Sequence, residues 1–173
     1  HLDDKIRALE ERVKKIHALG GDGAVAKQHA QGKLTCRERV ALLFDKRPDG
    51  SLAFDELMVH AHHTSESPMM AGRNTPADGL ISGVATVNAD RFGAEAARCM
   101  VISYDYTVLA GTQGHMNHKK IDRMLGLAEQ WRLPLVFYGE GGGGRPGDTD
   151  RLGMTGLDGP SFVQFAKLSG LVP

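Results

Sequence analysis

The sequence predicts an α/β domain with a partly parallel sheet, preceded by a helical N-terminal extension. Two observations carry this. Residues 1–45 show only helical periodicity, whereas from Gly79 onward the pattern runs strand, strand, helix, strand, glycine loop, helix. In that order, strands that flank a helix lie parallel in one layer. At 173 residues the chain is long enough for one domain with its own core. Lys plus Arg and Asp plus Glu stand at 21 each, so no net field draws the chain to nucleic acid or to a membrane surface. No apolar run approaches the ~20 residues of a spanning helix.

The elements follow in order. Leu2, Ile6, Leu9, Val13 and Ile16 form a single apolar stripe on an otherwise charged helix. So short a stripe is expected to pack on its own domain rather than in a coiled coil. Gly20, Gly21 and Gly23 end this helix, and a second short one covers Ala24 to Gln31. Thr35 and Glu38 have capping-box spacing and open a third helix, whose buried side is Val40, Leu42, Leu43 and Phe44. Residues 46–78, beginning with the turn Pro48-Asp49-Gly50, read as a loop-rich surface excursion. Leu80 to Val87 and Cys99 to Tyr104 are strands joined by a hairpin through Asn88 to Arg98. Thr112 to Trp131 holds a helix with Met116, Ile121, Met124, Leu125 and Ala128 as its apolar face. Leu133 to Tyr138 is the next strand, with Pro134 suggesting its first residue, and Gly159 to Leu168 is helical again. The expected organisation is a helical extension at 1–45, a loop-rich segment at 46–78 and the main domain at 79–173. With His1 in place of an initiator Met, the chain reads as a segment of something longer.

The most informative feature is the run Gly141 to Gly144, which follows a buried strand and precedes Arg145 and Pro146. Side-chain-free backbone at a strand end lets N–H groups approach a ligand, where they bind phosphate or stabilise an oxyanion. The bland alternative is a purely structural turn. A nucleotide loop is excluded at both discriminating positions, since Arg145 stands where Lys is required and Pro146 where a Ser or Thr should bind Mg²⁺. Asp105 to Gly114 is a second strand-to-helix turn with exposed donors, leading to Lys119 and Lys120, which either meet phosphates or form a solvated face. Cys36 and Cys99 are too far apart for a metal knuckle and read as reduced packing residues. His60, His62 and His63, and the pair His115 and His118, lack the further ligands a zinc site needs, so no metal is expected.

Several linked motifs carry a resemblance. Gly32 to Asp45, GKLTCRERVALLFD, resembles the GKLTARERI-LLLD segment of carboxyltransferase subunits of biotin-dependent acyl-CoA carboxylases. That family's D-F-T-V-x-G-G-S-x-G stretch is matched by Asp105 to Gly114, its G-E-x-H-A-K-K-I by Gly114 to Ile121, and its D-S-G-G-A-R loop by Glu140 to Arg145. The matches keep their order from residue 32 nearly to 170. The departures are Glu140 for the loop Asp, Gly141 and Gly144 for Ser and Ala, Ala110-Gly111-Thr112 for G-G-S, and Asn117-His118 for H-A.

The resemblance implies an incomplete crotonase-like fold of ββα units in an α/β class, and an enzyme without a side-chain base. Carboxybiotin, presented on a carrier domain, supplies the carboxyl group that reaches the α-carbon of an acyl-CoA. Gly142 and Gly143 correspond to the positions whose N–H groups hold the thioester enolate. Gly141, Gly144, Arg145, Gly111 and Thr112 fall at the substrate, with Arg145 either ordering the loop or approaching the CoA phosphates. The implied partners are acyl-CoA, the biotin carboxyl carrier and biotin carboxylase domains, a second carboxyltransferase domain, and further copies in a homo-oligomer. Neither nucleic acid nor membrane is among them, and the expected compartment is the bacterial cytoplasm or a mitochondrial matrix. Within the same resemblance, a biotin-dependent decarboxylase subunit, a hydratase using Glu140 or Asp148, and a non-catalytic module on the same fold are the rival readings.

Overall fold

The computed structural model describes residues 1–150 and 160–173. Three helices come first: α1 (Leu2–His17), α2 (Asp22–Ala30) and α3 (Cys36–Leu43). The short strand β1 (Phe54–Glu56) and a 3₁₀ turn at Pro76–Gly79 precede β2 (Leu80–Thr86). A four-residue helix, α4 (Ala89–Phe92), sits in the connection to β3 (Arg98–Tyr104). A second 3₁₀ turn at Leu109–Gly111 leads to α5 (His115–Trp131), then β4 (Leu135–Tyr138) and α6 (Pro160–Leu168). The expected start of the last helix at Gly159 lies outside the described residues.

The sheet has the order β1-β2-β3-β4. β1 and β2 are antiparallel, as are β2 and β3, and β3 and β4 are parallel with Met100 opposite Leu135 and Ser103 opposite Tyr138. Because α5 is the crossover between β3 and β4, the chain leaves both strands on the same edge of the sheet, which is where open α/β sheets place their ligands.

The sheet is covered on both faces, and the period-two alternation of its strands decides which residue goes where. On one face Leu80, Met100, Ile102 and Tyr104 meet Ile121, Met124, Leu125 and Ala128 of α5 and Leu168 of α6. On the other, Ile81, Ala85, Cys99 and Val101 meet Leu19 together with Cys36 and Val40 of α3 and Phe44 just after it. The expected capping box is present: Glu38 N–H donates to Thr35 Oγ1 at 3.3 Å, and Thr35 N–H donates to Glu38 Oε2 at 2.7 Å. Cys36 and Cys99 are buried free thiols, with burial pushing both thiols up in pKa.

Several expectations are corrected. The stripe on α1 is not packed on its own domain: Leu2, Ile6 and Leu9 are 69%, 46% and 49% exposed, and only Val13 and Ile16 at the far end are half-buried. The segment read as loop contains β1, and Gly83 permits this edge strand, since a Cβ there would lie 2.2 Å from the Asp55 carbonyl oxygen. The hairpin carries α4 at its tip. Within the expected spans, α5 begins at His115, with Thr112 and Gly114 extended ahead of it, and β4 begins at Leu135, two residues after the expected Leu133. Leu42, placed on the buried side of α3, is 78% exposed.

Candidate functional site

Two loops leave the adjacent parallel strands β3 and β4. The first, 105–114, is fixed by its own acid: Asp105 Oδ1 accepts from Thr107 N–H at 3.0 Å and from the Thr107 hydroxyl at 2.6 Å. It then makes three successive left-handed residues, Leu109, Ala110 and Gly111, at φ 47, 55 and 64°. The second loop is the glycine run. The two are zipped together by a one-residue parallel bridge, in which Gln113 N–H donates to Gly143 O and Arg145 N–H donates to Gln113 O, both at 2.8 Å.

Glycine is required where the loops cross. A Cβ on Gly111 would lie 2.3 Å from the Glu140 carbonyl oxygen, and one on Gly141 would lie 2.4 Å from the Gly111 carbonyl oxygen. Any side chain at either position would separate the two backbones. Beyond the crossing, Gly141, Gly142 and Gly143 are exposed, and their N–H groups donate to no described residue. The result is a side-chain-free ledge of backbone donors open to solvent, a geometry suited to an oxyanion. Ala110, also exposed, borders the same ledge: its carbonyl oxygen is 3.3 Å from where a Gly142 Cβ would stand. A cavity of about 310 Å³ runs from Ala110 between the first loop and α2, lined by Lys27, Gln28, Tyr106 and Leu109 among others.

The remaining residues expected at the substrate make contacts that hold the loops. Arg145 is 1% exposed. Its Nη1 donates to Asp78 Oδ1 at 2.5 Å and to Asp148 Oδ2 at 3.0 Å, and its Nη2 donates to Thr112 O at 2.9 Å. Of the two roles left open for it, the geometry therefore fits ordering of the loop, with no guanidinium edge facing solvent for a CoA phosphate. Thr112 is half-buried, with its hydroxyl donating to Leu109 O at 2.8 Å. Gly111 is buried, and Gly144, half-buried, is the partner of Gln113 in the bridge. Asp148 and Glu140, the carboxylates a hydratase would use, are both tied up in ion pairs.

Sequence reasoning missed the anchor of this arrangement. Asp78 is fully buried in the left-handed turn at Ala77 (φ 50°) and Asp78 (φ 49°). Besides Arg145 it accepts from Asn117 N–H at 2.7 Å, so its charge sits at the N-terminus of α5 where the helix dipole favours it. Gly114 makes room, since a Cβ there would lie 2.2 Å from Arg145 Nη1. Lys120, expected as a phosphate ligand or a solvated residue, is neither: it is 1% exposed and donates to Ala77 O at 2.8 Å and to Leu80 O. His118 is buried against Gln113 Oε1 at 2.8 Å, and Gln113 Nε2 donates to the Tyr104 hydroxyl at 2.7 Å, beneath the glycine ledge.

Burial holds the Lys120 ammonium down to about 8, against the opposing pull of Glu56 and Asp78. Between that value and the ordinary 10.5 the unfolded chain binds a proton the folded chain has released, so this group's contribution to stability rises with pH across the window. Chemical denaturation from pH 8 to 10 is expected to give a steeper upward slope of stability for the wild type than for Lys120→Met. Parallel slopes would refute the assignment.

Residues 27–172 match the family model of the carboxyl transferase domain. The chain is 36% identical over 158 residues to a propionyl-CoA carboxylase beta chain of Saccharopolyspora erythraea, covering 91% of this chain and 26% of that protein. It is 32% identical over 173 residues to a methylmalonyl-CoA decarboxylase subunit alpha of Veillonella parvula, covering 99% and 31%. Among solved structures, a single-chain, multi-domain long-chain acyl-CoA carboxylase superposes with a TM-score of 0.81 at 46% identity, over 98% of this chain and 16% of that one. Transcarboxylase 12S, solved with hydrolysed methylmalonyl-CoA bound, superposes with a TM-score of 0.85 at 31% identity, over 100% and 31%. The chain thus spans less than a third of the length of each of these relatives.

Proposed function

The chain belongs to the carboxyl transferase domain family, and from that premise we propose that it is the acyl-CoA half of a biotin-dependent carboxyltransferase site on an incomplete crotonase-like domain. The observation that carries the reading is the exposed ledge of Gly142 and Gly143 in the loop that leaves β4, whose N–H groups lack described partners. These donors hold the thioester oxygen as negative charge develops on it when the α-proton leaves. Each such donor contributes about 3 kcal/mol of transition-state stabilisation.

Carboxybiotin, when bound, supplies the carboxyl group and the acceptor for the α-proton. The described residues fit the acyl thioester rather than the biotin: the ledge offers donors for one oxyanion, and the adjoining cavity beside Lys27 and Tyr106 suits the extended arm of a CoA ester. The facing half of the site falls to a second domain of the parent protein. Transfer in the opposite direction, as in the decarboxylase relative's name, passes through the same enolate, so the ledge serves either direction. The 46% identity with a segment of a single-chain carboxylase supports a parent that carries its biotin carboxylase and carrier domains on the same polypeptide. The hexamer named for transcarboxylase 12S supports a homo-oligomeric parent.

The test uses the full-length protein that carries this segment. Labelled bicarbonate is expected to enter acyl-CoA in an avidin-sensitive reaction, while residues 1–173 alone bind acyl-CoA weakly and do not turn over. Turnover by the isolated segment would refute the half-site. A complete lack of acyl-CoA affinity in the full-length protein would favour a non-catalytic module.

A further inference from the structure

The glycine ledge has to be held still at both ends, and the two anchors differ in kind. At the C-terminal end Arg145 is buried in the body of the domain. At the N-terminal end, the residue directly before the glycines is Glu140, and its carboxylate reaches the N-terminal helices. Lys33 Nζ donates to Glu140 Oε1 at 3.1 Å, and Arg39 is ion-paired to Oε2. Gln28 Nε2 lies 3.3 Å from each carboxylate oxygen. These partners come from α2, the α2–α3 connection and α3. Gln28 is itself buried and also donates to Leu34 O, so it cannot follow the loop if the loop moves. The backbone of the same residue is the crossing point, where the Glu140 carbonyl fills the space that a Gly111 side chain would take. Lys33 touches the first loop as well, with its ammonium 5.2 Å from the centre of the Tyr106 ring.

From this geometry we infer that Glu140 is a positioning residue, clamped by Gln28, Lys33 and Arg39, which sets where the glycine ledge begins and thereby aims the N–H groups of Gly142 and Gly143. The inference rests on the proposed function and assigns a task to the GKLTCRER segment, which supplies two of the three clamping side chains. Burial raises the pKa of Glu140, but the hydrogen bonds from Arg39, Lys33 and Gln28 outweigh it and hold the carboxyl below its usual range. A carboxylate kept charged and carrying three donors is an anchor rather than a proton donor. Because a displacement of about 1 Å in a positioned group can cost about a hundredfold in rate, loosening this anchor affects turnover without removing any contact to the reacting atoms.

The experiment takes the full-length protein with Glu140→Gln, Arg39→Met, the double variant and Glu140→Asp. Two readouts are followed: kcat and KM for carboxyl transfer to acyl-CoA, and hydrogen exchange of the Gln113 and Arg145 amides, which register the second loop on the first. For Glu140→Gln, kcat is expected to fall about 10- to 100-fold with KM for acyl-CoA changed by less than about threefold, and both amides exchange about tenfold faster or more. Arg39→Met reproduces this, and the double variant is no worse than the poorer single one, because both break the same link. Glu140→Asp, which keeps the charge, recovers kcat to within about threefold of the wild type. The Asn117 amide, bonded to Asp78 at the other anchor, keeps its protection throughout. Wild-type kcat in Glu140→Gln, or unchanged protection of Gln113 and Arg145, overturns the inference. If the wild type transfers no carboxyl group, the proposed function fails on its own, and the exchange data still decide whether Glu140 holds the loop.

Discussion

Replacement of Arg145 by methionine is expected to lower stability by about 3–5 kcal/mol, because it leaves the Asp78 and Asp148 carboxylates buried without their cation. The side chains of all three are at most 2% exposed, so water does not replace the lost partner. Methionine restores most of the volume but none of the donors. Among the described residues the Asp78 carboxylate would keep only the N–H of Asn117, and the Thr112 carbonyl would lose its guanidinium partner. In a domain of this size about 1 kcal/mol corresponds to roughly 2–4 °C, so the unfolding midpoint is expected to drop by about 6–20 °C. Arg145→Lys is expected to recover only part of this, since a single ammonium cannot span two carboxylates and a carbonyl with a planar fork. A loss below about 1 kcal/mol for the methionine variant, measured by guanidinium denaturation, would mean that the cluster is not the anchor described here.

The same residue shows where sequence reading reaches its end. An arginine directly after a glycine loop reads equally as an organiser of the loop or as a ligand for substrate phosphate, and the local sequence does not decide between them. Its burial is decided by Asp78, 67 residues earlier, and by the missing side chain of Gly114, neither of which has a local signature. β1 escaped notice for a similar reason: three residues leave no alternation to detect, and their pairing depends on the absent side chain of Gly83 across the sheet. The stripe on α1 was legible as a stripe, but amphipathicity states that a face is apolar and not what covers it, and Leu2, Ile6 and Leu9 stand exposed in this chain. By contrast β2, β3 and α5 were readable to within a few residues, because strands buried on both faces form continuous apolar runs and a long helix repeats its stripe many times. The site itself was legible in its backbone part, four glycines at a strand end, and illegible in its supports. Glu140, Arg145, Asp78 and Lys120 are charged residues whose partners come from distant parts of the chain.

That division between ledge and supports separates two kinds of defect, and the largest effect on turnover is expected from the ledge. Gly142→Val together with Gly143→Val in the full-length protein is expected to lower kcat for carboxyl transfer by about 10²–10³, the loss typical of an oxyanion donor. The two positions fail for different physical reasons. Gly143 sits at φ +85°, which a β-branched residue does not adopt without strain, so valine there turns its own N–H away from the ledge even though no atom stands in its path. Gly142 has an ordinary backbone, but its Cβ would lie 3.3 Å from both the Ala110 carbonyl oxygen and Thr112 Cγ2, so the branched side chain must push the two loops apart. Neither N–H contributes a bond to a described residue, and both glycines are exposed, so the fold loses little beyond this local strain. The unfolding midpoint of the double variant should therefore fall far less than that of Arg145→Met, while its kcat falls further for a given loss of stability. Unchanged carboxylation in the valine variant would remove Gly142 and Gly143 from the reaction. A loss of activity that merely followed the loss of stability would return the glycines to the role of a structural turn.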